Sequence, residues 1–442
     1  MVRQIKTLCL CRFLIILIFN LIIFPVDLDE VWCYGFSHNI YSGLFPYKDF
    51  NMVITPFYPF LMALPFFIFG SNILVFHVFQ AALITWCCKL LFDLIGDRMW
   101  FLITFFFFPV SGFWPGYNLF LLFLLISIIW FEKVSDCKYK DYIIGFIIGL
   151  AILTKQSIGV FLIIPSLIYI KNKKLLLKRC IGLLLPCIVF IFYLVFSNSL
   201  MQFLDLCFFG LFDFASNNGN TSSVWLILTI IVTVITIYFM ISDRKEIVYC
   251  YALCFYSMAI PLFDAKHFQI LFIMFLFCLA YCKNIDVKLN YRLFMIGSVV
   301  CVSIFFLTTY YHSNLVYPNN LSHFQYRVIS GGDLSITKKV NKYINKNKDK
   351  DFMFLDSNGY YFKIINDVPI TYTDMLNMGN WGYDGSKKLL TAVKKMKEAL
   401  FFVNPNELKR GNQSDKSVIK YIIEHGKKID SVSVYDIYVL NN

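Results

Sequence analysis

Residues 13 to 30 read FLIILIFNLIIFPVDLDE, an apolar run that ends in three carboxylates, Asp27, Asp29 and Glu30. The run approaches the roughly 20 residues that a helix needs to cross a bilayer. No small-residue cleavage site follows it, so we interpret it as an uncleaved first span rather than a signal peptide. Placing three carboxylates at the end of a span, close to lipid, costs free energy, and residues kept in spite of such a cost are often functional. These acids are therefore a candidate functional site.

The composition excludes an ordinary soluble globule. The chain has 442 residues, of which 58% are hydrophobic and 49 are Phe. So much apolar surface far exceeds what one core can bury, which predicts a polytopic membrane protein surrounded by lipid. The net charge of +12 comes from Lys and Arg in short loops and in the tail. This distribution indicates membrane topology, and it predicts no nucleic-acid partner.

The spacing of the cysteines predicts no metal site. The 14 Cys are scattered through the apolar runs, and none follows Cys301. Cys250 and Cys254 share a helix face, but no second Cys pair or nearby His completes a zinc site. We therefore interpret them as small core residues and predict no bound metal from this pattern.

The apolar runs and the basic loops together predict the topology. Basic loops at 171 to 179, 244 to 245 and 283 to 292 face the cytoplasm by the positive-inside rule. Seven runs approach the length of a span: 13 to 26, 72 to 92, 180 to 197, 223 to 241, 247 to 263, 267 to 282 and 293 to 311.

Three further apolar segments need another interpretation. Both ends of 99 to 131 and of 142 to 170 are basic, so each is predicted to form a hairpin of short helices. The first divides at Ser111 to Asn118 and the second at Thr154 to Gln156. The stretch 53 to 69 contains three prolines and is predicted to lie in the outer interface. The sum is about eleven crossings, with the amino terminus in the cytoplasm and the carboxy terminus outside.

The predicted fold class is therefore mainly α, a membrane helical bundle with a small carboxy-terminal α/β domain. Residues 1 to 311 form the membrane domain, whose first outer loop covers 27 to 71. Residues 312 to 442 form the extracytoplasmic domain, with helical periods at 335 to 346 and 416 to 424 and an alternating strand pattern before residue 439.

The polar residues at the membrane edge all fall on the outer side in this topology. A lysine placed mid-membrane costs roughly 2.5 to 3.5 kcal/mol, so Lys155 at a hairpin apex needs an anionic partner or water. Acidic and basic side chains at the same depth in the membrane suit a substrate that carries both hydroxyls and a phosphate, such as a lipid-linked sugar. In an inverting transfer a carboxylate, Asp29 or Glu30, takes the proton of the acceptor hydroxyl, and cations such as Lys155 and His267 stabilise the departing phosphate.

Each candidate also has a structural interpretation. The acids at the span exit can be solvated loop residues, and Lys155 can snorkel to the outer headgroups. His267 and Asp264 can form a structural hydrogen-bonded pair. Tyr47 and Asp49 can form an ordinary turn after Pro46.

Four stretches resemble the GT-C membrane glycosyltransferases, among them the protein O-mannosyltransferases and the aminoarabinose transferases of lipid A. They are Asp27-Leu-Asp-Glu30, Gly43-Leu-Phe-Pro-Tyr-Lys-Asp49 followed by Pro56, Gly149-Leu-Ala-Ile-Leu-Thr-Lys-Gln-Ser-Ile-Gly159, and Pro261-Leu-Phe-Asp-Ala-Lys-His267.

The resemblance implies a bacterial enzyme of the plasma membrane that uses a polyprenyl-phosphate sugar at the outer face and transfers it to a lipid, glycan or protein acceptor. It implies Asp29 as the base, with Glu30 and Asp27 beside it. The predicted substrate-binding residues are Tyr47, Asp49, Lys155, Gln156, Asp264, Lys266 and His267.

The last of these segments departs from the family pattern, because the arginine expected before Asp264 is missing; Lys266 is the candidate substitute. The resemblance also leaves open a divalent cation at Asp27 and Asp29, although hard cations take more oxygen ligands than this stretch supplies.

Other functions remain as alternatives. A transporter or flippase of polysaccharide or lipid-linked glycan would place polar groups on both sides of the midplane and show related halves, and neither pattern is visible. A polymerase would carry a large outer loop between spans. A non-catalytic protein that binds glycan through the outer domain would tolerate loss of the three acids.

Overall fold

The computed structural model describes residues 28–96, 116–213, 222–260, 263–282, 315–316, 321–325, 327, 329–371, 374, 380–396, 398–406 and 416–440. The predicted first span, the turn at 111 to 115 and the predicted span 293 to 311 lie outside these ranges, as does Asp27.

The segment that is predicted as the first outer loop contains two helices. Helix α1, Leu28–Tyr41, carries Asp29 and Glu30 in its first turn. Helix α2, Phe57–Phe69, has 13 residues, too few to cross a bilayer at about 1.5 Å each. Its last turn exposes Phe67, Ile68 and Phe69 by 61–76%. This geometry agrees with the interfacial position that the prolines predict.

The helices of the membrane domain follow the apolar runs. They are α3 (Ile73–Ile95), α4 (Tyr117–Lys133), α5 (Lys140–Ile152), α6 (Gln156–Gly159), α7 (Ile164–Tyr169), α8 (Lys173–Phe196), α9 (Leu200–Leu204), α10 (Ser223–Ser242), α11 (Ile247–Phe255) and α12 (Ala265–Tyr281). A 3-10 turn, Val160–Ile163, joins α6 to α7, and a π-helical turn, Asp205–Phe209, extends α9.

Within the described ranges, three helices are long and apolar enough to span a membrane: α3, α8 and α10. They match predicted spans, whereas the count of about eleven stays a prediction. The segment 142 to 170 forms the predicted pair of short helices, and the chain breaks between Ile152 and Gln156.

Close contact between α5 and α8 depends on glycine. A Cβ atom on Gly145 would lie 2.0 Å from the carbonyl oxygen of Arg179, and one on Gly182 would lie 2.1 Å from that of Tyr142. Small residues let membrane helices approach backbone to backbone. The same contact buries Arg179, whose guanidinium binds Glu132 of α4 and Asp141 of α5.

The carboxy-terminal region contains the predicted α/β structure. Its elements are β1 (Leu315–Val316), β2 (Ile329–Ser330), α13 (Gly331–Lys346), β3 (Phe352–Phe354), α14 (Gly359–Ile365), α15 (Gly385–Lys395), β4 (Leu400–Val403), α16 (Lys416–His425), β5 (Gly426–Val432) and β6 (Tyr435–Leu440). The main sheet has the order β3-β4-β6-β5, in which β3 and β4 are parallel and the other pairs antiparallel. The alternating pattern predicted as one strand at 432 to 439 corresponds to β6 together with the last residue of β5 and the turn between them, and the rest of β5 was not predicted.

The carboxy-terminal α/β region, called the outer domain after its predicted location, packs directly on the membrane helices. The ring of Tyr360 on α14 lies edge-on to Phe36 of α1, with centroids 5.7 Å apart. A second contact involves Asp205, which begins the π-helical turn after α9. The backbone N–H of Tyr383 donates to its carboxylate (3.1 Å), and Lys388 forms an ion pair with the same carboxylate (2.5 Å). Gly382 permits this approach, because its φ is +76° and a Cβ there would lie 2.4 Å from Asp205 Oδ2.

Candidate functional site

Asp29 and Lys155 come together at one end of the helical bundle. Asp29 lies in the first turn of α1 and is half-buried. Lys155 has extended backbone just before α6 and is also half-buried. The charges of Asp29 and Asp264 both act on the Lys155 ammonium. Three segments far apart in sequence therefore place two acids and one base in the same region.

Two neighbours of Lys155 were not identified from the sequence. Its Nζ donates to Asn118 Oδ1 at 3.1 Å and lies 5.5 Å from the centroid of the Tyr117 ring. Both residues begin α4. The only sequence signal for them is the predicted outer turn that ends at Asn118, on the same side of the membrane as Lys155. Asn118 and the ring face of Tyr117 hold the ammonium beside the acids.

Asp264 and His267 form a local pair at the start of α12. The Asp264 carboxylate caps the helix by accepting from the His267 backbone N–H at 2.8 Å. Nδ1 of His267 lies 2.9 Å from both carboxylate oxygens. This geometry matches the structural interpretation of the pair, and the charge of the same carboxylate acts on Lys155. Lys266 lies in the same first turn, but its side chain is outside what the structure describes.

Glu30 has an environment unlike that of its neighbour Asp29. Its side chain is fully buried, with Oε1 2.5 Å from His77 Nε2 and Oε2 2.8 Å from Arg327 Nη2. Burial acts to raise the pKa of this carboxyl, but the charges and hydrogen bonds of Arg327 and His77 outweigh it and hold the pKa below its usual value. Glu30 is therefore an ionised carboxylate that is enclosed by protein.

Three predicted binding residues make internal contacts in the loop and its surroundings. Tyr47 is buried and its hydroxyl donates to the carbonyl of Ile54 at 2.7 Å. Asp49 accepts from the backbone N–H of Phe45 at 2.7 Å, as in an ordinary turn. Gln156 Nε2 donates to two backbone carbonyls, those of Val53 (3.1 Å) and Cys207 (3.0 Å). All three side chains thus have partners within the protein, and their role in substrate binding stays a prediction.

A second polar cluster lies further along α1. His38 Nδ1 lies 2.7 Å from Ser71 Oγ, and its ring centroid lies 4.8 Å from that of His323. Burial lowers the pKa of His38 to about 4; the nearby His323 acts in the same direction, and Asp367 acts weakly against it. His38 is therefore neutral at ordinary pH.

The described residues do not gather a metal site. Among them, no group of three or more His, Cys, Asp and Glu side chains is placed to hold a metal ion. Asp27, which the sequence pairs with Asp29 as a cation ligand, lies outside the described ranges.

The chain has the fold of ArnT from Cupriavidus metallidurans. The crystal structure of that protein bound to undecaprenyl phosphate matches with a TM-score of 0.60 at 11% identity, over 98% of each chain. Its apo state matches with a TM-score of 0.56 at 11% identity, over 99% of this chain and 98% of that one. No protein-family model and no curated protein matches the sequence. The predicted likeness to the GT-C fold is thus confirmed, and the length and composition of α3, α8 and α10 support a protein embedded in a membrane.

Proposed function

We propose that the protein is a glycosyltransferase of the bacterial plasma membrane. It transfers a sugar from a polyprenyl-phosphate donor to a hydroxyl of a lipid, glycan or protein acceptor at the outer face. The observation that carries this proposal is the convergence of Asp29, Lys155 and Asp264 on a fold shared with ArnT, a protein whose structure holds undecaprenyl phosphate.

Asp29 is the proposed general base of an inverting transfer. The acceptor O–H gives its proton to the Asp29 carboxylate while the oxygen attacks the anomeric carbon. The bond between that carbon and the phosphate oxygen breaks, and polyprenyl phosphate leaves with the electron pair. Asp29 suits this role because it is half-buried and so within reach of solvent and substrate, whereas Glu30 is enclosed.

Lys155 is the proposed ligand of the departing phosphate. An ammonium that is already held in place stabilises charge as it develops, without reorganisation at the moment of reaction. Asn118 and Tyr117 hold it there, at 3.1 Å and 5.5 Å. We propose that His267 and Lys266 assist on the α12 side, that Gln156, Tyr47 and Asp49 maintain the wall of the site, and that Glu30 is structural.

The test is sugar transfer by the purified full-length chain in nanodiscs, with a panel of radiolabelled polyprenyl-phosphate sugars. We expect the wild type to use at least one donor and Asp29→Asn to lose transfer by at least about 100-fold, as general-base catalysis contributes about 10²–10⁴-fold. The matched control is Asp349→Asn, which neutralises an exposed carboxylate of the outer domain.

Full transfer by Asp29→Asn would refute the assignment of the base. If the wild type transfers sugar from no donor but moves a lipid-linked glycan across vesicle membranes, the transporter hypothesis replaces the enzyme hypothesis.

A further inference from the structure

A short segment leading into the outer domain runs along α1. Its described residues from His323 onward, 323–325 and 327, are called the strap. Arg327 contacts Glu30, and the Phe324 ring packs edge-on against Tyr34 with centroids 5.4 Å apart. His323 Nδ1 lies 3.2 Å from the Tyr34 hydroxyl, and nearer the end of α1 its ring centroid lies 4.8 Å from that of His38. The strap therefore runs antiparallel to α1 and contacts its first and middle turns.

Both ends of the strap are fixed by polar contacts. At one end His323 Nδ1 lies 2.8 Å from the carbonyl oxygen of Ser71, and Nε2 lies 2.7 Å from Asp367 Oδ1. The carbonyl and the carboxylate are both acceptors, and they belong to two different segments of the chain. Ser71 precedes α3, while Asp367 follows α14 in the outer domain. This end of the strap therefore joins the two domains.

At the other end, Arg327 holds Glu30. Its Nε and Nη2 both donate to Glu30 Oε2, at 2.9 Å and 2.8 Å, while His77 of α3 holds Oε1. All three side chains are at most 1% exposed. Both carboxylate oxygens are thus held by groups from different parts of the chain.

The position of Glu30 in the helix transmits this constraint to Asp29. Successive residues of an α-helix differ by about 100° around its axis. When the Glu30 carboxylate is fixed in the protein interior, the first turn of α1 cannot rotate, and the direction of the Asp29 side chain is set. That direction brings Asp29 close enough to Lys155 and Tyr117 for its charge to act on both.

We propose that Arg327 of the strap is a positioning residue for Asp29, acting through Glu30. The proposal rests on the proposed function for its effect on turnover, although its geometric part stands independently of it. It gives the outer domain a role in the chemistry, because the strap that orients the base is anchored to that domain through Asp367.

The experiment uses the full-length chain and two readouts. The first is kcat and KM for the polyprenyl-phosphate sugar. The second is the rate at which a membrane-impermeant thiol reagent modifies Asp29→Cys, with the protein lacking this substitution as the background. Arg327→Met breaks the contact but leaves a buried charge, so Glu30→Gln/Arg327→Met is the second variant, which removes both charges and retains similar volumes.

The control is Arg179→Met, because Arg179 is also a buried arginine that binds two carboxylates, at the opposite ends of α4 and α5 from Lys155. A general loss of stability would affect the folded fraction of this variant as well. It would not change the reactivity of position 29 in the protein that remains folded.

We expect Arg327→Met and the double variant to lower kcat by about 100-fold with KM within about twofold, because a displacement of about 1 Å at a reacting group costs about that much. Thiol modification at position 29 should change by at least about tenfold in both, and in Arg179→Met it should not change. Wild-type kcat and wild-type reactivity in a folded double variant would overturn the proposal. Reduced kcat with unchanged reactivity would overturn it as well.

The two readouts separate this proposal from the proposed function. If the wild type is inactive with every donor, the proposed function fails, and the thiol reactivity alone decides the geometric claim. A tenfold change then supports positioning by Arg327, and an unchanged rate refutes it.

Discussion

Replacing Lys155 by methionine tests the phosphate-binding role directly. Methionine is similar in length and can retain the contact with the Tyr117 ring, so the main loss is the charge. The wild-type ammonium is half-buried, donates to Asn118 at 3.1 Å and lies near two carboxylates. It has further N–H groups to offer a phosphate, since an ammonium carries three.

The expected magnitude follows from the value of one charged hydrogen bond. Such bonds contribute about 1.5–3 kcal/mol, and 1.4 kcal/mol corresponds to about tenfold in Kd. Lys155→Met should therefore weaken the binding of polyprenyl phosphate by about 10- to 100-fold. The assay is titration of the lipid phosphate into full-length protein in nanodiscs, with Lys155→Arg as the charge-conserving variant.

Lys48→Met is the matched control, because Lys48 is an exposed outer-loop lysine that also lies over an aromatic ring, 5.4 Å from the Phe45 centroid. It should change Kd by less than about twofold. Equal affinities of Lys155→Met and the wild type would refute the assignment of Lys155 to the phosphate.

Three further predictions concern stability. Arg179→Met leaves two carboxylates without their guanidinium, at a cost of about 3–5 kcal/mol, so it should melt in detergent well below Lys174→Met, which changes an exposed lysine of the same helix; equal melting temperatures would contradict this. Gly382→Ala combines a φ of +76° with a clash against Asp205 and should speed proteolytic release of the outer domain, whereas Gly43→Ala, with a φ of +83° and open space around it, should not. Because the pKa of His38 falls from 6.5 to about 4 on folding, its contribution to stability is lost as pH falls through this interval; His38→Gln should flatten the melting temperature between pH 6.5 and 4, and an unchanged slope would exclude His38 as the cause.

Local pattern was enough to predict much of the fold. The apolar runs at 72 to 92, 180 to 197 and 223 to 241 form helices that are long and apolar enough to span a membrane, because length and hydropathy are properties of a single segment. The break at Lys155 followed from charge parity at the two ends of its hairpin. In the outer domain, each predicted helix or strand lies within a few residues of an observed one, because amphipathic periodicity is also local.

The pairing of distant side chains could not be predicted in this way. Glu30 and Asp29 are chemically similar neighbours, and their sequence gives no reason to assign one to the interior and the other to the site. The difference comes from Arg327, which is 297 residues away from Glu30. No periodicity connects positions so far apart. For the same reason the sequence placed Lys155 correctly on a turn but did not identify Asn118 and Tyr117 as its contacts.

The ion pair between Glu30 and Arg327 also has a consequence for biosynthesis. Chains are made at about 5–20 residues per second, so the 297 residues that separate the two partners take about 15–60 s to appear. His77, 47 residues after Glu30, is available within about 2–10 s at the same rate. Between the synthesis of Glu30 and that of Arg327, nearly all of the membrane helices are made, and throughout this time Glu30 has no contact with the Arg327 guanidinium. The loop that carries the proposed base is therefore among the first segments to be synthesised and among the last to be completed.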